Sequence, residues 1–143
     1  SNGTILTSPD GITWTSRTSG STGFIEGLAW SGSGFVAVEA DTSNDALGGS
    51  VLTSPDGVTW ASRTTGNSNA LYGVAWTGSR FVAVGFGGTI LTSPDGITWT
   101  SKDADTGDSL FAVIFVNSQL IAVGNVSDVS TSANGNTWIS QSQ

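Results

Sequence analysis

Apolar and polar positions alternate along this chain in two recurring patterns. In the first, Gly27-Leu28-Ala29-Trp30 and Phe35-Val36-Ala37-Val38 flank a Ser-Gly-Ser-Gly stretch at residues 31–34. The pattern returns as Gly73-Val74-Ala75-Trp76 with Phe81-Val82-Ala83-Val84, and more loosely over residues 112–116 and 120–123. Near-continuous apolar runs with a small residue at the centre predict paired strands buried on both faces, joined by a tight turn. In the second pattern, Thr4-Ile5-Leu6-Thr7-Ser8 and Ile12-Thr13-Trp14-Thr15-Ser16 flank Pro9-Asp10-Gly11. β-Branched and aromatic residues predict strands on either side. Proline presets the first turn position, aspartate suits the second and glycine accepts a positive φ, which predicts a three-residue hairpin loop closed by a bulge.

The second pattern is a repeat. The fourteen residues 3–16, GTILTSPDGITWTS, stand unchanged at 88–101, as GSVLTSPDGVTWAS at 49–62, and in degraded form as SDVSTSANGNTWIS at 127–140. Asp10, Gly11 and Trp14 therefore share their roles with Asp56, Gly57 and Trp60, with Asp95, Gly96 and Trp99, and with Asn134, Gly135 and Trp138. The aspartate is expected to accept backbone N–H groups of the turn, helped by Ser8, and the tryptophan to supply an apolar plate for burial. Asparagine carries no charge, so the last hairpin is expected to be the weakest.

Together the patterns make a unit of four antiparallel strands A, B, C and D, with the turn just described between C and D. The tryptophans of the four repeat copies, Trp14, Trp60, Trp99 and Trp138, lie 46, 39 and 39 residues apart, the longer interval reflecting an insertion in the first B–C loop. Four-stranded units of this period are blades of an all-β β-propeller. The chain holds a C–D half-blade (residues 3–18) and blades at 24–65, 71–103 and 110–140, about 3.5 blades in all. Propellers usually close with more blades than this, and an open ring exposes apolar faces. Two readings follow: the missing blades belong to a longer chain, or copies of this chain, such as a homodimer, complete a ring.

Ser8-Pro9-Asp10-Gly11-Ile12-Thr13-Trp14 and its copies resemble the Asp-box, or BNR repeat, of sialidase-like β-propellers, in a short bacterial form with one residue fewer between Asp and Gly. The resemblance implies the propeller fold. It implies no sialidase: Arg17 and Arg63 recur at one repeat position with Lys102 in the third copy, the single tyrosine is Tyr72, and no glutamate is tied to it by sequence. The resemblance and the acidic, Thr/Ser/Gly/Trp-rich composition imply an extracellular or cell-surface setting.

The net charge of −7, with four Lys and Arg in all, leaves no basic stripe for nucleic acid or for an anionic membrane. No apolar run is long enough to span a bilayer. Histidine and cysteine are absent, which removes Ser-His-Asp and Cys-His catalysis and the usual zinc ligands. No cofactor is implied. Repeat-locked aromatics read as core, whereas Phe24, Tyr72 and Phe111 at the starts of A strands, and Phe86 in a B–C loop, are candidates for ligand contact. Glu39, Asp41, Asn44 and Asp45 offer oxygen ligands at close spacing in the inserted loop, with Asp41 and Asp45 the calcium candidates. The expectation is a non-catalytic module for protein interaction or scaffolding. A carbohydrate-binding module is the alternative, since aromatic plates beside polar groups suit sugars. A fragment of a glycosidase-type enzyme is the third.

Overall fold

The computed structural model describes residues 3–41, 48–102, 104, 106–125 and 129–141. The described residues form fourteen strands arranged as a β-propeller segment. The half-blade is β1 (Thr4–Thr7) and β2 (Thr15–Thr18). Blade 1 is β3 (Phe24–Trp30), β4 (Phe35–Asp41), β5 (Gly48–Ser54) and β6 (Ala61–Arg63). Blade 2 is β7 (Leu71–Trp76), β8 (Phe81–Gly85), β9 (Ile90–Ser93) and β10 (Thr100–Lys102), with one 3-10 turn at Phe86–Gly88. Blade 3 is β11 (Leu110–Val116), β12 (Gln119–Gly124), β13 (Val129–Ser132) and β14 (Ile139–Ser140). Each full blade is a separate antiparallel sheet with its strands in chain order.

Alternate residues of each strand face opposite neighbours, and the two blade interfaces are built from this alternation. Val36, Val38 and Val51 of blade 1 pack with Val74, Phe81, Ala83 and Leu91 of blade 2. Val82, Val84 and Ile90, pointing the other way from blade 2, pack with Val113, Leu120, Ala122 and Trp138 of blade 3. Each fully buried Val, Leu or Ile contributes about 1.5–3 kcal/mol relative to exposure. The A strands also approach each other across the blades. A Cβ added at Gly27 would lie 3.3 Å from the Gly73 Cα, and one at Gly73 would lie 3.1 Å from the Ala112 Cα. Glycine at these positions lets neighbouring inner strands come close.

Two expectations are corrected. The C–D connection is not a three-residue hairpin loop. Thr7 pairs with Thr15, so residues 8–14 all lie in the loop, because the Asp10 carboxylate captures the Ile12 and Thr13 N–H groups that a longer ladder would use. Nor are all A and B strands buried on both faces. β8 is buried throughout, but Leu28 on β3 is 58% exposed, and Ile114 and Val123 on blade 3 are exposed. Blade 2 is sandwiched between blades. The outer faces of blades 1 and 3 are not fully covered by the described residues.

Candidate functional site

The four repeated C–D turns share one hydrogen-bond pattern. The Ser8 hydroxyl donates to Asp10 Oδ1 (3.0 Å) and accepts the Gly11 N–H (2.8 Å), while Asp10 Oδ1 accepts the N–H groups of Ile12 (2.8 Å) and Thr13 (2.7 Å). The amides of Thr13 and Ile12, then the Ser8 hydroxyl, stabilise the carboxylate and lower the Asp10 pKa to about 2. Asp56 and Asp95 are lowered by the equivalent amides, Thr59 and Val58 for the one and Thr98 and Ile97 for the other. In the last copy, Asn134 Oδ1 accepts the N–H groups of Asn136 (2.8 Å) and Thr137 (3.1 Å). The box glycines all take φ between 74° and 76°. Each carboxylate serves its own turn, so these residues build the rim and form no acid–base pair.

Packing ranks the hairpins differently from charge. The Trp138 Nε1–H donates to the Gly135 carbonyl (3.2 Å), and this indole is 4% exposed. Trp60 and Trp99 make the same bond to Gly57 and Gly96 (3.0 Å each) and are half-buried. Trp14 is exposed. The uncharged last box is thus the best packed, and the first is the least supported.

The candidate aromatics are only partly brought together. Antiparallel topology places Phe24, Tyr72, Phe111 and Phe86 at one end of the segment, opposite the boxes. Tyr72 and Phe111 form a tilted ring pair with centroids 5.4 Å apart. Both stand at a register shift, between Leu71 and Gly73 and between Leu110 and Ala112. In blade 1 that shift falls between Ile25 and Gly27, so Glu26 is their counterpart. Phe24 lies two positions earlier, paired with Ala40, and is no member of this series. Aligning FIEGLAW, ALYGVAW and SLFAVIF without gaps reveals the same offset. Phe86 is exposed on the 3-10 turn, whose backbone is held by the Phe86 N–H on the Ala70 carbonyl (2.9 Å). The backbone of Asp41 ends β4, and Asp45 lies outside the described residues.

A cleft lined by four aromatic side chains lies at the other end. It measures ≈350 Å³ and opens between blades 1 and 2, lined by Phe35, Trp60, Trp76 and Phe81, with Arg63 and Asp95 among its polar edges. Phe35 packs against Trp60 (6.2 Å) and Trp76 against Phe81 (4.6 Å). Most polar groups here are already engaged. The Ser31 hydroxyl donates to the Gly34 carbonyl, Asp95 Oδ1 holds its own turn, and Arg63 Nε donates to Thr53 Oγ1 (2.9 Å). Among the described residues, the outer guanidinium nitrogens of Arg63 make no hydrogen bond.

Repeat-locked aromatics read as core in the sequence, and these four were therefore missed. The signal lies in small residues beside them. Gly34 and Ala61 line the cleft, and their counterparts in blade 2, Arg80 and Thr100, line a polar cavity of ≈300 Å³ between blades 2 and 3. Arg17 and Arg63 occupy equivalent places, each with Nε on a threonine of strand C. The repeat distributes these cations among separate blades. Among the described residues there is no group of three or more His, Cys, Asp or Glu that could hold a metal ion, and no helix long and apolar enough to cross a membrane.

No protein-family model and no curated protein matches the sequence. Solved structures do match the fold. YCF48 bound to D1 peptide is similar over 95% of this chain and 45% of its own, at TM-score 0.72 and 18% identity. YCF48 from Cyanidioschyzon merolae matches over 81% of this chain and 36% of its own, with TM-score 0.62 and 18% identity. A chain of the nidogen/laminin complex matches over 91% and 52%, with TM-score 0.67 and 14% identity. This chain therefore spans about half, or less, of the length of each. At these identities the likeness establishes the β-propeller fold.

Proposed function

We propose that this chain is a non-catalytic, protein-binding segment of a short-box Asp-box propeller that works outside the cell or at its surface. Its site is the cleft between blades 1 and 2, which takes an extended peptide segment of a partner. The cleft's chemistry carries the reading. Aromatic side chains and two prolines, Pro55 and Pro94, offer apolar walls for a partner's side chains. The outer nitrogens of Arg63 are left to receive a carboxylate. A sugar would need several free hydrogen-bonding groups, and most of those at the cleft are spent on their own turns. The nidogen/laminin and YCF48/D1 peptide structures hold propellers with protein or peptide partners, which is consistent with this use of the fold.

The exposed outer faces of the segment are surfaces for packing further blades, from a longer chain or from a second copy. Leu6 and Leu28 mark one such face, and Ile114, Val123 and Val129 the other.

The cleft can be closed with the chain's own residues. Gly34→Arg with Ala61→Thr copies blade 2, where both residues are accommodated. A random peptide display selected on the unaltered chain is expected to yield binders that this double variant loses by at least tenfold. A glycan array run in parallel is expected to stay blank. Binders indifferent to the double variant would place the site elsewhere, and glycans lost on closing the cleft would make the segment a lectin.

A further inference from the structure

One buried carboxylate on blade 1 has an oxygen without a hydrogen-bond partner, and it has no counterpart in the other two full blades. Glu39 lies on β4, paired with Ile25 on one side and Ser50 on the other. Its side chain is 2% exposed. One carboxylate oxygen accepts a hydrogen bond from the Ser50 hydroxyl. The other, Oε1, is buried without a hydrogen-bond partner. Glu39 lines a cavity of ≈160 Å³ together with Ser21, Gly23, Ser50 and Ser62, roomy enough for an ion and its remaining waters.

The blade does not need this glutamate. The same ladder position, opposite the residue before the A-strand register shift, is Gly85 in blade 2 and Gly124 in blade 3. A Cβ at either glycine would fall 2.0 or 2.1 Å from a backbone carbonyl, of Ala70 or Ser109. In blade 1 the β3–β4 ladder runs one pair further, to Phe24 and Ala40, and a side chain is accommodated. The repeat thus departs from its own rule at the one position that brings a carboxylate inside. Burying an unpaired carboxylate is costly unless a counter-charge joins it. No Lys or Arg lines the cavity, and its polar side chains are all oxygen donors.

We propose that this pocket is a cation site for Ca²⁺, with Glu39 Oε1 as the charged ligand and the surrounding serine hydroxyls and loop carbonyls as neutral ones. Oxygen-only ligands in an irregular cavity suit calcium better than magnesium, which demands near-octahedral geometry and gives up water reluctantly. A single carboxylate makes the site weak, on the order of 10⁻⁴–10⁻³ M, the range of extracellular calcium modules.

The test is thermal unfolding of the whole chain in CaCl2 at constant ionic strength, with MgCl2 as the comparison. At about ten times the dissociation constant, calcium is expected to raise Tm by roughly 3–5 °C and magnesium by much less. Glu39→Gln is expected to lose the shift. Equilibrium dialysis of the unaltered chain against radioactive calcium provides a reading that needs no variant, with one ion per chain expected. No bound ion, or a shift kept by Glu39→Gln, overturns the proposal.

Discussion

Residues 3–16 and 88–101 are the same fourteen letters in two different surroundings. Their serine–aspartate turns are the same. In each, the serine hydroxyl accepts the glycine N–H at 2.8 Å, and aspartate Oδ1 accepts the next two amides at 2.7–2.8 Å. Beyond the turn they part. Leu6 is 51% exposed and Leu91 is 0%. A Cβ at Gly11 would meet nothing within 4 Å, whereas one at Gly96 would lie 2.6 Å from Val36 Cγ2 of the preceding blade. Trp14 is 58% exposed, and Trp99 packs against the core between blades 1 and 2. The box is a self-contained hydrogen-bonded turn. What it buries depends on whether a blade stands before it.

The sharpest way to break this comparison is to truncate the same leucine in both copies. Leu91→Ala should cost about 2–5 kcal/mol in urea unfolding, the usual range for a fully buried leucine. Leu6→Ala should cost under about 1 kcal/mol, as for a surface change. Equal losses would mean that the half-blade is covered in solution. Light scattering would then tell whether a second copy covers it.

A smaller contrast comes from the box glycines. Gly11→Ala and Gly96→Ala both place a Cβ in the left-handed region, at about 1–2 kcal/mol each. Gly96→Ala should lose about 1–3 kcal/mol more, because the new methyl meets Val36. Equal losses would show that the loop shifts freely away from blade 1.

The smallest effect should be the same in both copies. The carboxylates of Asp10 and Asp95 have folded pKa values lowered from 3.8 by backbone N–H groups, Asp10 to about 2. Their contribution to stability is therefore present above about pH 4 and is lost as pH falls through the folded value. Asp10→Asn should flatten the acid limb of the stability profile between about pH 4 and pH 2, and Asp95→Asn should flatten it in the same direction below about pH 4. A markedly larger change for Asp95→Asn would mean that the buried copy's turn is tuned by its neighbours.

The fold was legible because its signals are local and repeated. The turn residues, the strand composition and the tryptophan interval all survive translation from one copy to the next, so four copies say the same thing. The candidate site was less legible. Tyr72 and Phe111 were picked out as irregular aromatics and do form a pair, but Phe24 was grouped with them because the register shift that separates it is a property of strand pairing. Trp60, Trp76, Phe35 and Phe81 looked like core by repetition. They line a cleft because Gly34 and Ala61 beside them are small, a difference between blades that a consensus averages away.

By itself, then, the sequence determined the unit: four strands, a serine–aspartate turn at one end, and apolar residues alternating toward two neighbours. These follow from bonds within a few residues and from the period-two geometry of a strand. Only the tertiary structure decided which identical residue is core and which is surface, where two blades leave a cleft, and that Glu39 enters a cavity without a counter-charge. Those properties belong to the spaces between blades, and burial depends on what stands on the other side.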